Sequence, residues 1–307
     1  MSTTEEPRST TADEDGSATG PASGSRESRR RRGPRPGAFL PYGMVLPAAV
    51  LELLIHIIPM VLGIYIAFTS LTQLTIRRWT TAPFVGLENF VRGLDPSGPL
   101  GSALFESLLR TALYTTLVVG LSWVLGMAAA VALNTKFRGR GVLRTLFLVP
   151  YALPVYVAAI IWAFMFNQRD GMINRLLVQD TGLLDDRPFW LIGENAFWVL
   201  VVVSVWRLWP FAFLMLLAAL QSIPGDLYEA AVVMGLWTFN EFNIPFLLFG
   251  DTSPESARLI SPLIYEHSFV NWNFGLGAAM SVLLLVALII ASIVYVRMVL
   301  PKGRDND

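Results

Sequence analysis

The sequence predicts an all-α integral membrane protein with about six transmembrane helices, and three observations predict it. Hydrophobic residues make up 54% of the 307 residues, and charged residues make up only 15%, against roughly 25% in soluble domains. Apolar runs recur at the ~20-residue length that crosses the ~30 Å hydrocarbon core of a bilayer. Basic residues cluster beside alternate runs, as the positive-inside rule requires of cytoplasmic segments.

The first 37 residues are polar, and we expect 1–37 to be a disordered cytoplasmic tail. They do not resemble a secretory signal, because the basic run Arg29–Arg32 comes late and stands directly before the first apolar run. Such a run is also found in nucleic-acid patches, but its place beside a membrane span favours a topology anchor. We therefore expect lipid and not nucleic acid as its neighbour. Residues 38–300 then form the membrane domain, and 301–307 form a second cytoplasmic tail.

Charge-poor runs predict the positions of the spans. They lie at 43–69, 111–135, 145–168, 196–221 and 274–296, and a shorter run lies at 236–249. The short run covers only ~21 Å as a helix, so to span it would have to begin near Tyr228 or Ala230. Five spans would leave the basic C-terminal end outside the cell, against the positive-inside rule. Six spans place both termini in the cytoplasm.

Besides Glu52 in the first predicted span, two charged residues lie inside apolar segments. Arg207 lies about 11 residues into the fourth span, where a charge costs several kcal/mol unless it faces a cavity or a partner. Glu241 lies in the stretch "LWTFNEFNIPFLLFG" of the short run. We expect the two either to pair or to share a polar cavity, because burying one alone is expensive.

The same stretch combines amides, a carboxylate and aromatic rings. Sugar hydroxyls bond to amide and carboxylate groups, and the apolar faces of sugars stack on aromatic rings. The candidate substrate-pathway residues are Trp237, Phe239, Asn240, Glu241, Asn243 and Arg207. The alternative is that these polar groups only hold neighbouring helices together, and the spacing alone does not separate the two interpretations.

Two prolines interrupt the third predicted span. Pro150 and Pro154 each remove a backbone donor, and a membrane helix tolerates this where neighbouring groups satisfy the freed carbonyls. They predict either a packing kink or a helix hinge that lines a cavity.

Several chemistries are excluded or disfavoured. The chain has no cysteine and only two histidines, so no disulfide forms, and a histidine-based metal site is not expected. No Gly-rich phosphate loop occurs, so we expect no cofactor in this chain. A membrane enzyme such as a lipid-linked transferase would need an acidic or histidine cluster at a membrane face, and only the pair Asp185–Asp186 and scattered single residues occur.

Four motifs in a fixed order carry a family resemblance. They are "FVGLENF", "FRGRGVLRTLFLVPYALP" with "IIWAFMFNQRDGMIN", "ALQSIPGDLYEAA" and "WTFNEFNIPFLLFG". In this order they resemble the maltose-type permeases of binding-protein-dependent ABC sugar importers, over about residues 40–300. The resemblance implies a type I ABC importer permease architecture in a bacterial inner (plasma) membrane.

The resemblance also implies partners and roles. Such a permease pairs with a second permease subunit and two ATPase subunits, and an extracytoplasmic sugar-binding protein delivers the sugar substrate. ATP and Mg²⁺ are bound by the partner ATPase, so the permease is not an enzyme. The site that couples to the ATPase would begin at Tyr228, Glu229, Ala230 and Ala231, with Gly235 after it. The region of Asn240 and Glu241 would face the substrate, and the two permeases would alternate access around it.

The chain departs from the family pattern after the "EAA" stretch. "EAAVV" runs almost directly into "LWTFNEF", so the fifth helix looks shortened, by about 30 residues counted with the coupling helix. Three explanations stay open. A segment is missing between Val233 and Leu236, or the deletion is real and uncouples the chain, or 228–249 forms one continuous helix. A coupling-deficient permease remnant or a membrane scaffold is therefore the alternative function.

Overall fold

The computed structural model describes residues 40–220 and 227–299. The predicted tails, 1–37 and 301–307, and the run Arg29–Arg32 lie outside these residues. The chain divides into two units, Met1–Leu53 and Leu54–Asp307. In the first unit the described residues form helix α1, Leu40–Glu52, and a π-helical turn spans Leu53–Ile57.

The second unit is mainly helical in its described part. Its longer helices are α2 (Ile58–Ala67), α4 (Pro99–Asn134), α7 (Val155–Met165), α9 (Asn195–Ala219), α10 (Leu227–Phe239) and α13 (Phe274–Val299). Its shorter helices are α3 (Glu88–Leu94), α5 (Arg140–Phe147), α6 (Val149–Ala152), α8 (Met172–Asn174), α11 (Asn243–Phe249) and α12 (Ile260–Tyr265). Isolated bridges, Thr69 with Phe84 and Thr72 with Asn273, are the only β contacts in the described residues.

The all-α membrane prediction is confirmed. Five stretches of the described chain are long and apolar enough to cross a bilayer: Gly43–Ala67, Pro99–Asn134, Asn195–Ala219, Ala230–Phe249 and Phe274–Tyr295. The remaining predicted span, the third, contains only the shorter apolar helix Val155–Met165. Four of these five stretches lie close to the predicted positions. The second, Pro99–Asn134, corresponds to the predicted span 111–135 but is longer, because its helix already begins at Pro99.

The third predicted span, 145–168, is broken into three helices. Leu153 and Pro154 are extended, with ψ angles of 137° and 138°, and they separate α6 from α7. The residue before a proline is biased away from the helical region, so Pro154 explains the break. Pro150 lies within α6 and is buried. Of the two prolines, Pro154 therefore interrupts the helix.

The fifth span is short and contains the "EAA" stretch. Helix α10 runs unbroken from Leu227 through Met234 to Phe239, so Val233 and Leu236 lie within one helix. The helix does not continue to Phe249, because Asn240–Phe242 are non-helical and α11 begins afterwards. The continuous-helix explanation thus holds as far as Phe239. The candidate span begins at Ala230, as the ~20-residue requirement predicts.

The centre of the second unit is the contact between α4 and α9. Buried residues of α4 pack against buried residues of α9 in two clusters, one containing Tyr114 and Leu200 and the other Ala130 and Phe213. Gly126 makes the close approach possible, because a Cβ atom there would lie 2.7 Å from the backbone nitrogen of Phe213. Small residues allow such backbone contacts between membrane helices.

Two polar residues connect elements that are distant in sequence. Thr111 on α4 accepts a hydrogen bond from the backbone nitrogen of Ile260 at 2.9 Å, which satisfies a donor at the start of α12. Asn89, in the "FVGLENF" motif, is buried and donates to the carbonyl oxygens of Ala67 and Thr69, at 2.9 Å each. This motif therefore fastens α3 to the end of α2.

Candidate functional site

A polar cavity of about 170 Å³ lies where α4, α6, α9 and α10 meet. Its lining combines hydroxyl, charged and aromatic side chains. The lining residues are Tyr114, Val118, Tyr151, Ser204, Arg207, Leu208, Trp237, Thr238, Glu241 and Ile244. Three residues predicted for the substrate pathway, Arg207, Trp237 and Glu241, are thus brought together from two separate stretches of sequence.

The wall formed by α4 and α9 is held by a buried hydrogen bond. The hydroxyl of Tyr114 and the hydroxyl of Ser204 lie 2.7 Å apart, and both side chains are almost fully buried. A buried tyrosine hydroxyl needs such a partner. Arg207 lies three residues after Ser204 on α9, so nearly one helical turn brings it to the same side of the helix.

The other lining residues include two that lie beside helix breaks. Tyr151 is on α6, two residues before the break that begins at Leu153. Glu241 comes directly after α10 ends, and one of its carboxylate oxygens accepts a hydrogen bond from the backbone nitrogen of Ile244 at 3.1 Å. That carboxylate therefore satisfies one of the free donors at the start of α11.

Arg207 and Glu241 share the cavity without forming an ion pair. No nitrogen–oxygen contact within 4.0 Å joins them, although both line the same space. The Nε atom of Arg207 is buried and has no hydrogen-bond partner. Of the two arrangements that the sequence predicts, the structure has the shared cavity, and the guanidinium keeps an unused donor.

An aromatic group borders the cavity. Trp237 is 56% exposed, and its ring centroid lies 5.8 Å from that of Phe211. The ring of Phe211 in turn lies 5.6 Å from that of Tyr151. These rings offer apolar faces beside the hydroxyl and charged groups, and a polyhydroxylated ligand with apolar C–H faces requires both.

The other predicted pathway residues lie elsewhere. Asn240 is exposed and donates to the carbonyl oxygen of Leu236 in its own helix, at 3.2 Å. Asn243 is exposed at the start of α11. Phe239 packs against the cluster formed by Leu104 and Met280. None of the three lines the cavity.

The sequence interpretation missed the four hydroxyl-bearing residues of the cavity: Tyr114, Tyr151, Ser204 and Thr238. Each is a hydroxyl-bearing residue within or beside an apolar helix. That feature was visible in the sequence, but serine, threonine and tyrosine are common in membrane helices. Their convergence on one space depends on helix packing, which the sequence does not give directly.

The predicted ATPase-coupling residues lie on α10. Tyr228 and Glu229 belong to its first turn, Ala230 and Ala231 are partly buried, and Gly235 has no atom within 4 Å of the position of a Cβ. Helix α10 packs on α4 and α9, and Met234 is fully buried. The "EAA" stretch is therefore continuous with the helix that carries Trp237 and Thr238.

A larger cavity of about 600 Å³ lies between α2, α12 and α13. It is lined mainly by apolar and aromatic side chains, among them Met60, Phe242 and Phe274. It offers few hydrogen-bonding groups, so it is less suited to a polar solute. In the residues that the structure describes, no group of three or more His, Asp or Glu side chains is arranged to hold a metal ion.

Residues 122–244 match the family described as binding-protein-dependent transport system inner membrane component. The matched range contains every cavity residue except Tyr114 and Val118. The trehalose/maltose transport system permease protein MalF of Thermococcus litoralis is 30% identical over 293 residues, covering 85% of this chain and 93% of that protein. The inner membrane ABC transporter permease protein YcjO of Escherichia coli is 32% identical over 292 residues, covering 87% and 95%.

The chain belongs to this family. The sequence resemblance to maltose-type permeases is thereby confirmed, and the chain is a permease subunit of an ABC transporter in the inner membrane. Relatives in the family carry names with different solutes. One, from Agrobacterium fabrum, is an sn-glycerol-3-phosphate transport system permease protein, UgpA, 30% identical over 285 residues and covering 83% of this chain and 92% of that one.

Solved structures show the same fold. A crystal structure of a bacterial ABC transporter for the acidic polysaccharide alginate contains a chain that matches with a TM-score of 0.66 and 20% identity, covering 86% of this permease and 96% of that chain. A second structure holds the alginate transporter with an alginate pentasaccharide-bound periplasmic protein, and it matches with a TM-score of 0.62, 21% identity and coverage of 82% and 91%. The ABC importer permease fold is thus confirmed.

The relatives are longer in their matched regions than this permease. The comparison with the T. litoralis protein runs over 293 residues, whereas 85% of 307 residues is about 261. About 32 positions of that relative therefore have no counterpart here, and the same subtraction for the E. coli protein gives about 25. These numbers are close to the ~30 residues that the sequence predicts to be absent around Val233–Leu236.

Proposed function

We propose that this permease carries a sugar through the cytoplasmic membrane and that the polar cavity is part of its path. The observation that carries the proposal is the convergence of Arg207, Glu241 and Trp237 with buried hydroxyl groups on one space in the membrane domain. Charged residues inside a membrane protein mark substrate pathways by default, because keeping them there is expensive.

The hydrogen-bonding groups in the cavity suit a sugar. Tyr114, Tyr151, Ser204 and Thr238 supply hydroxyls, Arg207 supplies donors, and Glu241 supplies an acceptor. The cavity of about 170 Å³ is smaller than the ~300–1,000 Å³ typical of ligand pockets. We therefore propose that the structure represents a closed state, which opens as the subunits rearrange.

The partners follow from membership of a binding-protein-dependent family. We propose a second permease subunit, two ATPase subunits that bind and hydrolyse ATP, and an extracytoplasmic sugar-binding protein. We also propose that both termini are cytoplasmic. Support for this orientation comes from the basic residues between α4 and α6, which are Lys136, Arg138, Arg140 and Arg144, and from Arg297 near the end of α13.

We propose that the site that couples to the ATPase is formed by Tyr228, Glu229, Ala230, Ala231 and Gly235. Two features support it: these residues occupy the start of α10, and α10 leads directly to the cavity. Movement of an ATPase against the start of α10 would then reach Trp237 and Thr238 through a single helix. Pro154 is proposed as a hinge because the chain leaves the helical conformation there, and Pro150 is its buried neighbour.

Reconstitution tests this function. The permease is co-expressed with a candidate second permease and ATPase, purified, and placed in proteoliposomes with a sugar-loaded binding protein. We expect the ATPase to co-purify and the loaded binding protein to raise ATP turnover several-fold. A coupling-deficient remnant would assemble without this stimulation, and a membrane scaffold would transport no sugar.

A further inference from the structure

The cavity contains one positive and one negative side chain, and this balance has a consequence for selectivity. Arg207 and Glu241 are the charged residues among its lining residues. Arg207 is on α9 and Glu241 is in the break between α10 and α11, and both line the space that a ligand would occupy without contacting each other directly. The formal charge of the lining is therefore zero.

The two charged groups differ in how many of their hydrogen-bonding atoms have partners. The carboxylate of Glu241 already accepts from the backbone nitrogen of Ile244, so its position is fixed by the start of α11. The buried Nε of Arg207 has no partner. An unpaired buried donor costs about 1–3 kcal/mol, and a ligand oxygen that accepts from it would recover part of this cost.

An uncharged polyhydroxylated ligand suits both groups at once. A hydroxyl both donates and accepts, so one such ligand can accept from Arg207 and donate to Glu241. An anionic ligand can also accept from Arg207, but its negative charge would then lie in the same small space as the carboxylate of Glu241. Like charges repel strongly where little water screens them.

We infer that Glu241 acts as a charge filter, so that the cavity accepts uncharged sugars and rejects acidic or phosphorylated ones. Arg207 supplies the attraction that both classes share, and Glu241 supplies the repulsion that separates them, as specificity often requires. This inference rests on the proposed function, because it concerns the ligand of the same cavity.

Binding of matched pairs of polyhydroxylated probes to the full chain in lipid nanodiscs tests the filter. The probes are glucose with glucuronate, and glycerol with glycerol 3-phosphate, and each pair differs in one anionic group. Tryptophan fluorescence follows binding, since Trp237 lines the cavity. For the wild type we expect the uncharged member of each pair to bind at least tenfold more tightly than the anionic member.

Two variants test whether the carboxylate of Glu241 causes the preference for uncharged probes. Glu241→Gln keeps the size of the side chain and removes its charge, and we expect it to raise the affinity for the anionic probes, relative to the uncharged probes, at least tenfold. Asp251→Asn is the matched control, because it removes one negative charge from an exposed residue outside the cavity. We expect the control to leave both classes of probe unchanged.

The outcomes separate the two proposals. If the wild type binds anionic and uncharged probes equally, or if Glu241→Gln leaves their ratio unchanged, the charge filter is wrong while the sugar permease stands. If no probe of either class binds, and a wider panel of mono- and disaccharides also fails, both proposals are wrong. If Asp251→Asn changes the ratio as much as Glu241→Gln does, the filter is not located in the cavity.

Discussion

Two kinds of helix meet at the cavity, and they differ in how they hold their functional residues. Helices α4 and α9 are continuous for 36 and 25 residues, and they hold Tyr114, Ser204 and Arg207 along one packed contact. Helices α6 and α10 end within a few residues of the cavity, near Tyr151 and Glu241. We propose that the continuous pair provides a fixed wall of the cavity and that the interrupted helices provide a wall that moves during transport.

The close contact at Gly126 is the strongest test of the fixed wall. Gly126→Ala places a Cβ 2.7 Å from the backbone nitrogen of Phe213, so α4 and α9 must separate. Overpacking costs ~1–3 kcal/mol and occasionally more, and we expect at least the upper value or a failure to fold. Thermal unfolding in detergent and the yield of monodisperse protein measure this.

Gly120→Ala is the control for that change. Gly120 is on the same helix, and no atom lies within 4 Å of the position of its Cβ. Alanine is favoured over glycine in a helix by about 1 kcal/mol, so this variant should be as stable as the wild type or more so. If the two variants behave alike, the α4–α9 contact is not as close as described.

Pro154 tests the movable wall. Pro154→Ala allows Leu153 to become helical and to join α6 to α7. We expect sugar uptake by the reconstituted importer to fall several-fold, while the free energy of unfolding changes by less than ~1 kcal/mol. The control is Pro99→Ala, because Pro99 is the first residue of α4, where proline causes no break. Normal uptake by Pro154→Ala would mean that the break is only a packing feature.

The hydrogen bond between Tyr114 and Ser204 tests how far the fixed wall depends on polar contacts. Tyr114→Phe removes the hydroxyl and leaves Ser204 without its partner. We expect a loss of about 1 kcal/mol, and a double-mutant cycle with Ser204→Ala should give a coupling energy near the ~0.6 kcal/mol average for membrane helices. Tyr156→Phe, at an exposed position on α7, should change stability less. Zero coupling in the cycle would contradict the contact.

His267 lies outside both walls, in the turn between α12 and α13, and we expect the smallest effect there. Burial lowers the pKa of His267, with Glu266 opposing the shift and Arg258 adding to it. As the pH falls below about 6.5, the unfolded chain takes up the proton first, so stability falls. Between pH 7.5 and 5.5 the free energy of unfolding should drop less in His267→Gln than in the wild type. An equal drop in both would exclude this residue as a cause.

Much of the fold was predictable from the sequence, because a bilayer imposes a length and a composition on each span. Where the sequence-based prediction of the fold was incomplete, the reasons are physical. The two prolines predict a kink or a hinge in the third span, but they do not predict that the chain divides there into separate helices with Leu153 and Pro154 extended between them. The start of α4 was set too late, since Glu106 and Arg110 look like the end of a span but form an i,i+4 pair at 3.1 Å on the helix surface.

The candidate site was predictable only in part. Arg207 and Glu241 stand out in the sequence because charges in apolar segments are rare. Asn240 and Asn243 are polar residues in the same apolar stretch as Glu241, but both are exposed and neither lines the cavity. Helical periodicity cannot be extended through Phe239–Asn243 to predict which of these residues face the cavity, because the chain is not helical at Glu241 and Phe242.

Protection of a single cysteine tests the central claim, that the cavity holds the transported sugar. The chain has no cysteine, so Thr238→Cys introduces one thiol in the cavity, and Asn243→Cys introduces one at an exposed position outside it. Labelling by a small methanethiosulfonate reagent is followed in membrane vesicles with and without maltose, trehalose or glucose. We expect at least one of these sugars to slow labelling of Thr238→Cys several-fold and to leave labelling of Asn243→Cys unchanged. Equal labelling of Thr238→Cys with and without every sugar would contradict the central claim.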